Sequence, residues 1–325
     1  MENKQLNLSE PENIMGTMDV NPLLIKLSIP MMISMLVQAL YNVVDSIFVA
    51  RVSENALTAV SLAFSLQNLM FAVGIGTGVG VNALLSKSLG EKNQYRANKT
   101  AENGLFLALC SYLVFLVLGL TVVRPYFYAQ TADADIAEQG IRYLTICCVL
   151  SLGMFMQVMN EKLLAATSRT TLSMISQLVG AVVNIILDPI FIFLLDMGVK
   201  GAALATVISQ GISAAWVLKF LTGRKAILRL RLRNLALGAG RVKSIVALGL
   251  SGFFMNLTNS LVQVVCNATL QAYGGDLYVG VMTIINSLRE VFFMPVQGLT
   301  NGAQPVTGYN YGAGRYSRVR SSIRF

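Results

Sequence analysis

Two acids stand where an acid is costly. Asp188 lies inside the apolar run NIILDPIFIF (184–193) with Pro189 directly behind it, and Asp45 lies inside QALYNVVDSIFV (38–49). On a helix, Gln177, Asn184 and Asp188 recur at i, i+7 and i+11 and share one face. Gln38, Tyr41, Asn42 and Asp45 recur at i, i+3, i+4 and i+7 and share another. A carboxylate in the middle of a hydrocarbon layer costs roughly 2.5–3.5 kcal/mol on insertion scales. Apolar surroundings favour the neutral acid, so such a group is suited to taking up a proton or trading it for a cation. Pro189 removes a backbone donor beside the acid and can kink its helix. Polar stripes of this kind avoid lipid and face a bundle interior or a water-filled cavity. That makes Tyr41 and Gln177 candidate cavity residues.

Other chemistry is sparse. Histidine is absent, which removes the usual near-neutral proton carrier and the commonest metal ligand. The four cysteines (Cys110, Cys147, Cys148, Cys266) sit in apolar segments without C-x-x-C spacing and read as small packing residues. No metal site, disulfide framework or cofactor is expected beyond a coupling ion, H+ or Na+.

The elements that must hold these residues are membrane helices. Of 325 residues, 54% are hydrophobic and 13% charged, and the mean hydropathy is +0.62. Residues 103–123, 143–160, 171–187 and 203–218 contain no Lys, Arg, Asp or Glu, and such runs are close to the length that spans a bilayer as a helix. Eight helices are expected, near 22–50, 57–88, 103–123, 140–161, 171–195, 199–220, 243–273 and 277–308. Every second connection is basic: Lys87 to Lys99, Lys162 and Arg169, Arg224 to Lys243, and Arg315 to Arg324. These carry 17 of the 25 Lys and Arg. The positive-inside rule puts that side, and the N-terminus with it, in the cytoplasm. The alternating RLRLR at 229–233 reads as an interfacial loop, so no nucleic-acid partner is expected. Met1 to Asn21 shows no basic region followed by an apolar stretch, and no cleavable signal peptide is expected there.

An offset of 222 aligns residues 27–96 with 249–318 without a gap. Nine of the seventy positions are identical, among them Gly76 with Gly298, Gly80 with Gly302, Gly90 with Gly312 and Arg96 with Arg318. The offset spans six helices, an even number, so the copies run parallel, as in two-lobed transporters. The expected organisation is a cytoplasmic segment (1–21), a first six-helix lobe (22–221), a basic linker (222–242) and the start of a second lobe (243–325). About four helices of that second lobe are expected to be missing. At the same offset Asp45 falls on Asn267, so the second copy carries an amide there, and Asn267 is taken as its cavity residue.

NPLLIKLSIPMMISMLVQALYNVVDSIFVARV, NIILDPIFIF followed by MGVKGAALATVISQ, and GTGVGVNALLSKSLG resemble multidrug and toxic compound extrusion (MATE) transporters, in particular the prokaryotic branch with acids in the first lobe. The resemblance runs from about Asn21 to Arg320. It implies an all-α polytopic membrane protein with two six-helix lobes, and alternating access. It implies export of organic cations driven by protons or sodium, by a monomeric transporter in a prokaryotic plasma membrane. By the same resemblance Asp45 and Asp188 are the coupling-ion acids, Gln38, Tyr143, Asn184 and Thr206 are their hydrogen-bonding neighbours, and Asn160 lines the cavity. Residues 243–273 contain no Asp or Glu, which argues against coupling in the second lobe. Fifteen methionines suit an adaptable drug cavity and suit ordinary helix packing equally. Two other functions remain open at this point. A flippase of lipid-linked saccharides shares the two-lobe plan but should line its cavity with several Arg and Lys. An intramembrane aspartyl protease should carry Y-D and G-x-G-D motifs, which are absent; YGGD (273–276) fails the spacing.

Overall fold

The computed structural model describes residues 13–223, 227–228 and 238–325, part of 260–291 by backbone alone. The basic stretch 229–233 and most of the expected linker lie outside the described residues. The described chain is helical: α1 (Ile14–Thr17), α2 (Val20–Ala50), α3 (Glu54–Gly90), α4 (Gln94–Thr121), α5 (Val123–Gln130), α6 (Ala134–Val149), α7 (Leu152–Ala166), α8 (Thr170–Pro189), α9 (Val199–Leu221), α10 (Ala239–Gly312) and α11 (Tyr316–Arg324). The short α1 and α5 were not expected from the apolar pattern. Starts follow capping chemistry. Ser53 accepts from the Ala56 N–H at 3.0 Å, and Asn93 accepts from that of Arg96 at 2.9 Å. Asp133 accepts from the amides of Asp135 and Ile136; each cap satisfies an orphan first-turn donor.

Among the described residues, five helices are long and apolar enough to cross a membrane: α2, α3, α4, α8 with the turn that follows it, and α9. A sixth span is broken. The single helix expected over 140–161 is instead α6 and α7, bent by 50°. At the break Ser151 Oγ donates to the Cys148 carbonyl at 2.7 Å, the kind of side-chain bond that competes with the helical ladder and bends helices. Beyond it Gly153 lies against the Gly211 backbone of α9, where an added methyl would sit 2.8 Å from the Gly211 nitrogen.

In α10 the expected break is absent from the backbone but the expected reversal is present in the packing. Two helices with a turn at 274–276 were expected, yet the backbone stays helical from Ala239 to Gly312. Its packing still requires a reversal. Gly80 touches Ile245 and Gly90 touches Tyr309. Those glycines are about 15 Å apart along α3, whereas their partners would be about 96 Å apart along a straight α10 at 1.5 Å per residue. Direction agrees. Passing from Gly76 to Gly80 moves the contact back from Phe253 to Ile245, while Ala83 to Lys87 meets Gly308 to Gly312 in forward order. α10 is therefore two antiparallel limbs that turn between 253 and 298. Tyr273, 92% exposed, lies in that interval.

The repeat is visible in the contacts. Gly90 meets Tyr309 and Gly312 meets Lys87, and shifting either contact by 222 gives the other. Gly76 and Gly80 of the first copy pack on Phe253, Gly249 and Ile245 of the second. Their counterparts Gly298 and Gly302 pack on Met32 and Ser28 of the first. Small residues let backbones approach closely, and close packing drives helix association where lipid is as apolar as the side chains. The two copies thus embrace about a pseudo-two-fold near the crossing of α3 with the second limb of α10.

Candidate functional site

The packing of α2 on α8 brings the two acids together. Their carboxyl groups lie within side-chain hydrogen-bonding reach of one another. Asp188 is fully buried and Asn184 is 1% exposed; one turn apart on α8, they are joined by Asn184 Nδ2 donating to Asp188 Oδ1 at 3.2 Å. Asp45 is half-buried. Seven buried side-chain oxygens among the described residues find no hydrogen-bond partner; Asp45 Oδ1, Asp188 Oδ2, Asn184 Oδ1 and, on α9, Thr206 Oγ1 are four of them, and Asn82 Oδ1, Ser86 Oγ and Asn160 Oδ1 are the others. Buried polar atoms are usually paired, because leaving one unmet costs about 1–3 kcal/mol. Oxygen donors without soft ligands suit a proton or a hard cation such as Na+.

Tyr143, 3% exposed, accepts from Gln67 Nε2 at 3.3 Å and lies within electrostatic range of Asp45 and Tyr41. α8 ends at Pro189 and continues as one π-helical turn, Ile190–Leu194. The proline beside the acid therefore coincides with a change of helical geometry.

Beside the acid pair is a cavity of about 150 Å³ between α2, α3, α7, α8, α9 and the second limb of α10. Gln38, Tyr41, Gln177 and Asn184 line it, with Met31, Met35, Phe71 and Met154 as apolar wall. Small-molecule sites typically enclose about 300–1,000 Å³, so occupancy by a drug-sized molecule requires the helices to part. Asn160 stands elsewhere. It is fully buried, its Nδ2 donates to the Ala214 carbonyl at 3.1 Å, and it ties α7 to α9 rather than lining the cavity. The Asn267 side chain lies outside the described residues. Glu161 and Lys162 were missed. The charge-free run ending at residue 160 placed them at a helix end and in a cytoplasmic connection, but α7 continues to Ala166 and both line the cavity. Their spacing from Gln157 on α7 was the available signal. Gln67 on α3 was missed as well.

The basic connections share one end of the bundle. Ser168 Oγ donates to Asn13 Oδ1 at 2.7 Å, and Gln94 Nε2 donates to the Ile227 carbonyl at 2.6 Å. Arg315 donates to the Gly16 carbonyl and Arg318 to those of Met15 and Met18.

Several known proteins are similar. Multidrug export protein MepA of Staphylococcus haemolyticus (strain JCSC1435) is 25% identical over 327 residues, covering 100% of this chain and 70% of the relative. The protein of the same name from Staphylococcus aureus (strain MSSA476) is 24% identical, covering 91% of this chain and 66% of the relative. The chain thus spans about two thirds of the length of these relatives. Among solved structures, the outward-facing conformation of a multidrug resistance MATE family transporter of the MOP superfamily matches with TM-score 0.92 and 26% identity, over 97% of this chain and 70% of that one. A MOP superfamily transporter from Pyrococcus furiosus, described as having a binding pocket of reverse polarity that suggests a different function, matches with TM-score 0.91 and 26% identity, over 97% and 70%. The MatE family profile matches residues 30–190 and 252–325. With the paired acids, the multi-pass helical fold and the reciprocal contacts of its two parallel copies, the chain belongs to the multidrug and toxic compound extrusion family, a family of transporters and not of enzymes.

Proposed function

We propose that this chain acts in an ion-coupled antiporter that exports organic cations by alternating access, with H+ or Na+ as the coupling ion. The observation that carries the reading is the Asp45–Asp188 pair, with unmet oxygens on both carboxyls, beside a methionine- and amide-lined cavity shared by the two copies. Two carboxylates at this separation repel when both are ionised, and one proton or monovalent cation between them removes the repulsion. Asn184 fixes one oxygen of Asp188, leaving the other to bind the ion. Thr206 offers a further oxygen from α9, and Tyr143 borders the pair. Gln38, Tyr41 and Gln177 supply polar contacts to substrate. We place the protein in a prokaryotic plasma membrane as a monomer, N-terminus cytoplasmic, following the basic connections.

Among the described residues the cavity carries a single base, Lys162, which favours cation export over flipping of a pyrophosphate lipid. The test is efflux of a fluorescent lipophilic cation from proteoliposomes under a proton gradient alone, then a sodium gradient alone. Export driven by one of them, lost in Asp45→Asn and Asp188→Asn, is expected. Export that ignores both gradients overturns the coupling.

A further inference from the structure

Glu161 plays no part in the acid pair, yet it is the one carboxylate among the described residues that line the cavity. Gln177 Nε2 donates to its Oε1 at 2.6 Å and Gln157 Nε2 donates to the same oxygen at 3.2 Å. The two amides also touch each other, Gln157 Nε2 to Gln177 Oε1 at 3.4 Å. Amide donors fix the orientation of a carboxylate without neutralising it. The neighbouring cation is directed elsewhere. Lys162 Nζ crosses to Asn301 Oδ1 of the second copy at 3.1 Å, its stem lies over Gly78, and its carbonyl accepts from Asn82 Nδ2 at 3.0 Å. Among the described ion pairs none joins Lys162 to Glu161. The cavity therefore presents an oriented carboxyl group with Met31, Met35, Phe71 and Met154 in the same lining, an apolar and polarizable wall.

Resting on the exporter reading, we propose that Glu161 is the counter-ion for the positively charged group of the substrate, separate from the pair that holds the coupling ion. Substrate and ion then occupy different carboxylates and can be bound together, instead of displacing one another from a single acid. The ligand class follows from the surroundings: a lipophilic monocation, such as a phosphonium or quaternary ammonium with an apolar body. A second positive charge would be placed toward Lys162 and disfavoured.

The test compares binding of tetraphenylphosphonium and of neutral triphenylphosphine oxide to the purified chain carrying Glu161, Glu161→Gln or Glu161→Asp. The second ligand has similar bulk and no net charge, so it reports whether the cavity is intact. Glu161→Gln is expected to weaken tetraphenylphosphonium by about tenfold or more, in the range of close charge-pair coupling, with the oxide changed less than about twofold. Glu161→Asp is expected to fall between. Unchanged tetraphenylphosphonium binding in Glu161→Gln would overturn the assignment, and equal loss of both ligands would make Glu161 a shaping residue instead. If the unsubstituted chain binds tetraphenylphosphonium no better than the oxide, the cation-exporter reading itself fails.

Discussion

Replacing Asp188 by asparagine tests the site most directly, because it removes one charge and keeps the shape. For two ionised carboxylates in side-chain contact, a separation taken as about 4 Å corresponds to about 4 kcal/mol of repulsion at an effective dielectric constant of 20. That repulsion is what a bound proton or sodium relieves, so its removal should cost the coupling ion about 4 kcal/mol, nearly three decades in affinity. The amide can still accept from Asn184, which holds Oδ1 of the native residue at 3.2 Å. Its NH2 group can donate to Asp45, whose Oδ1 has no partner. Folding should therefore survive while coupling does not. In proteoliposomes at matched protein content, gradient-driven efflux by Asp188→Asn should fall to the passive level, with the melting temperature in detergent shifted by no more than a few degrees. Asp45→Asn should match it, and the double variant should be no worse than either single one, since residues acting as a unit are non-additive. Efflux by Asp188→Asn with an unaltered response to the gradient would refute the reasoning.

The close crossing of the copies predicts a contrast between two glycines. A methyl on Gly80 would overlap the Ile245 carbonyl, whereas one on Gly211 meets nothing within 4 Å. Gly80→Ala should destabilise by about 1–3 kcal/mol or more, and Gly211→Ala should be neutral or stabilising by up to about 1 kcal/mol, both read by thermal melting. Asn160→Ala removes the side-chain donor to the Ala214 carbonyl and should cost about 0.5–1.5 kcal/mol of stability while leaving the KM for a lipophilic cation unchanged; a raised KM would return Asn160 to the cavity. Arg318 joins α11 to the carbonyls of Met15 and Met18 and to Asn310 Oδ1, at 3.0 Å for the last. Arg318→Ala should speed thiol labelling of a Met15→Cys probe, a position with no exposed surface, and an unchanged rate would mean that other contacts hold the segment.

The membrane class, most of the helical spans and the parallel repeat were legible in the residues because each is a one-dimensional property. Charge-free length sets a span, basic connections mark one end, and glycines at a constant offset mark equivalent crossings. The stripes of Gln38–Asp45 and Gln177–Asp188 likewise follow from 3.6 residues per turn, so which side chains share a face was readable. Tertiary structure alone decided which faces meet. Asp45 finds Asp188 because α2 packs on α8, and periodicity within one helix carries no information about its neighbour. The 50° bend between α6 and α7 turns on one serine hydroxyl reaching a carbonyl and on a glycine-to-glycine contact with α9, and apolar length is blind to both. Glu161 and Lys162 look like the polar end of a helix in the linear chain. They become cavity groups only because α7 runs on past them and the second limb of α10 brings Asn301 within reach of Lys162.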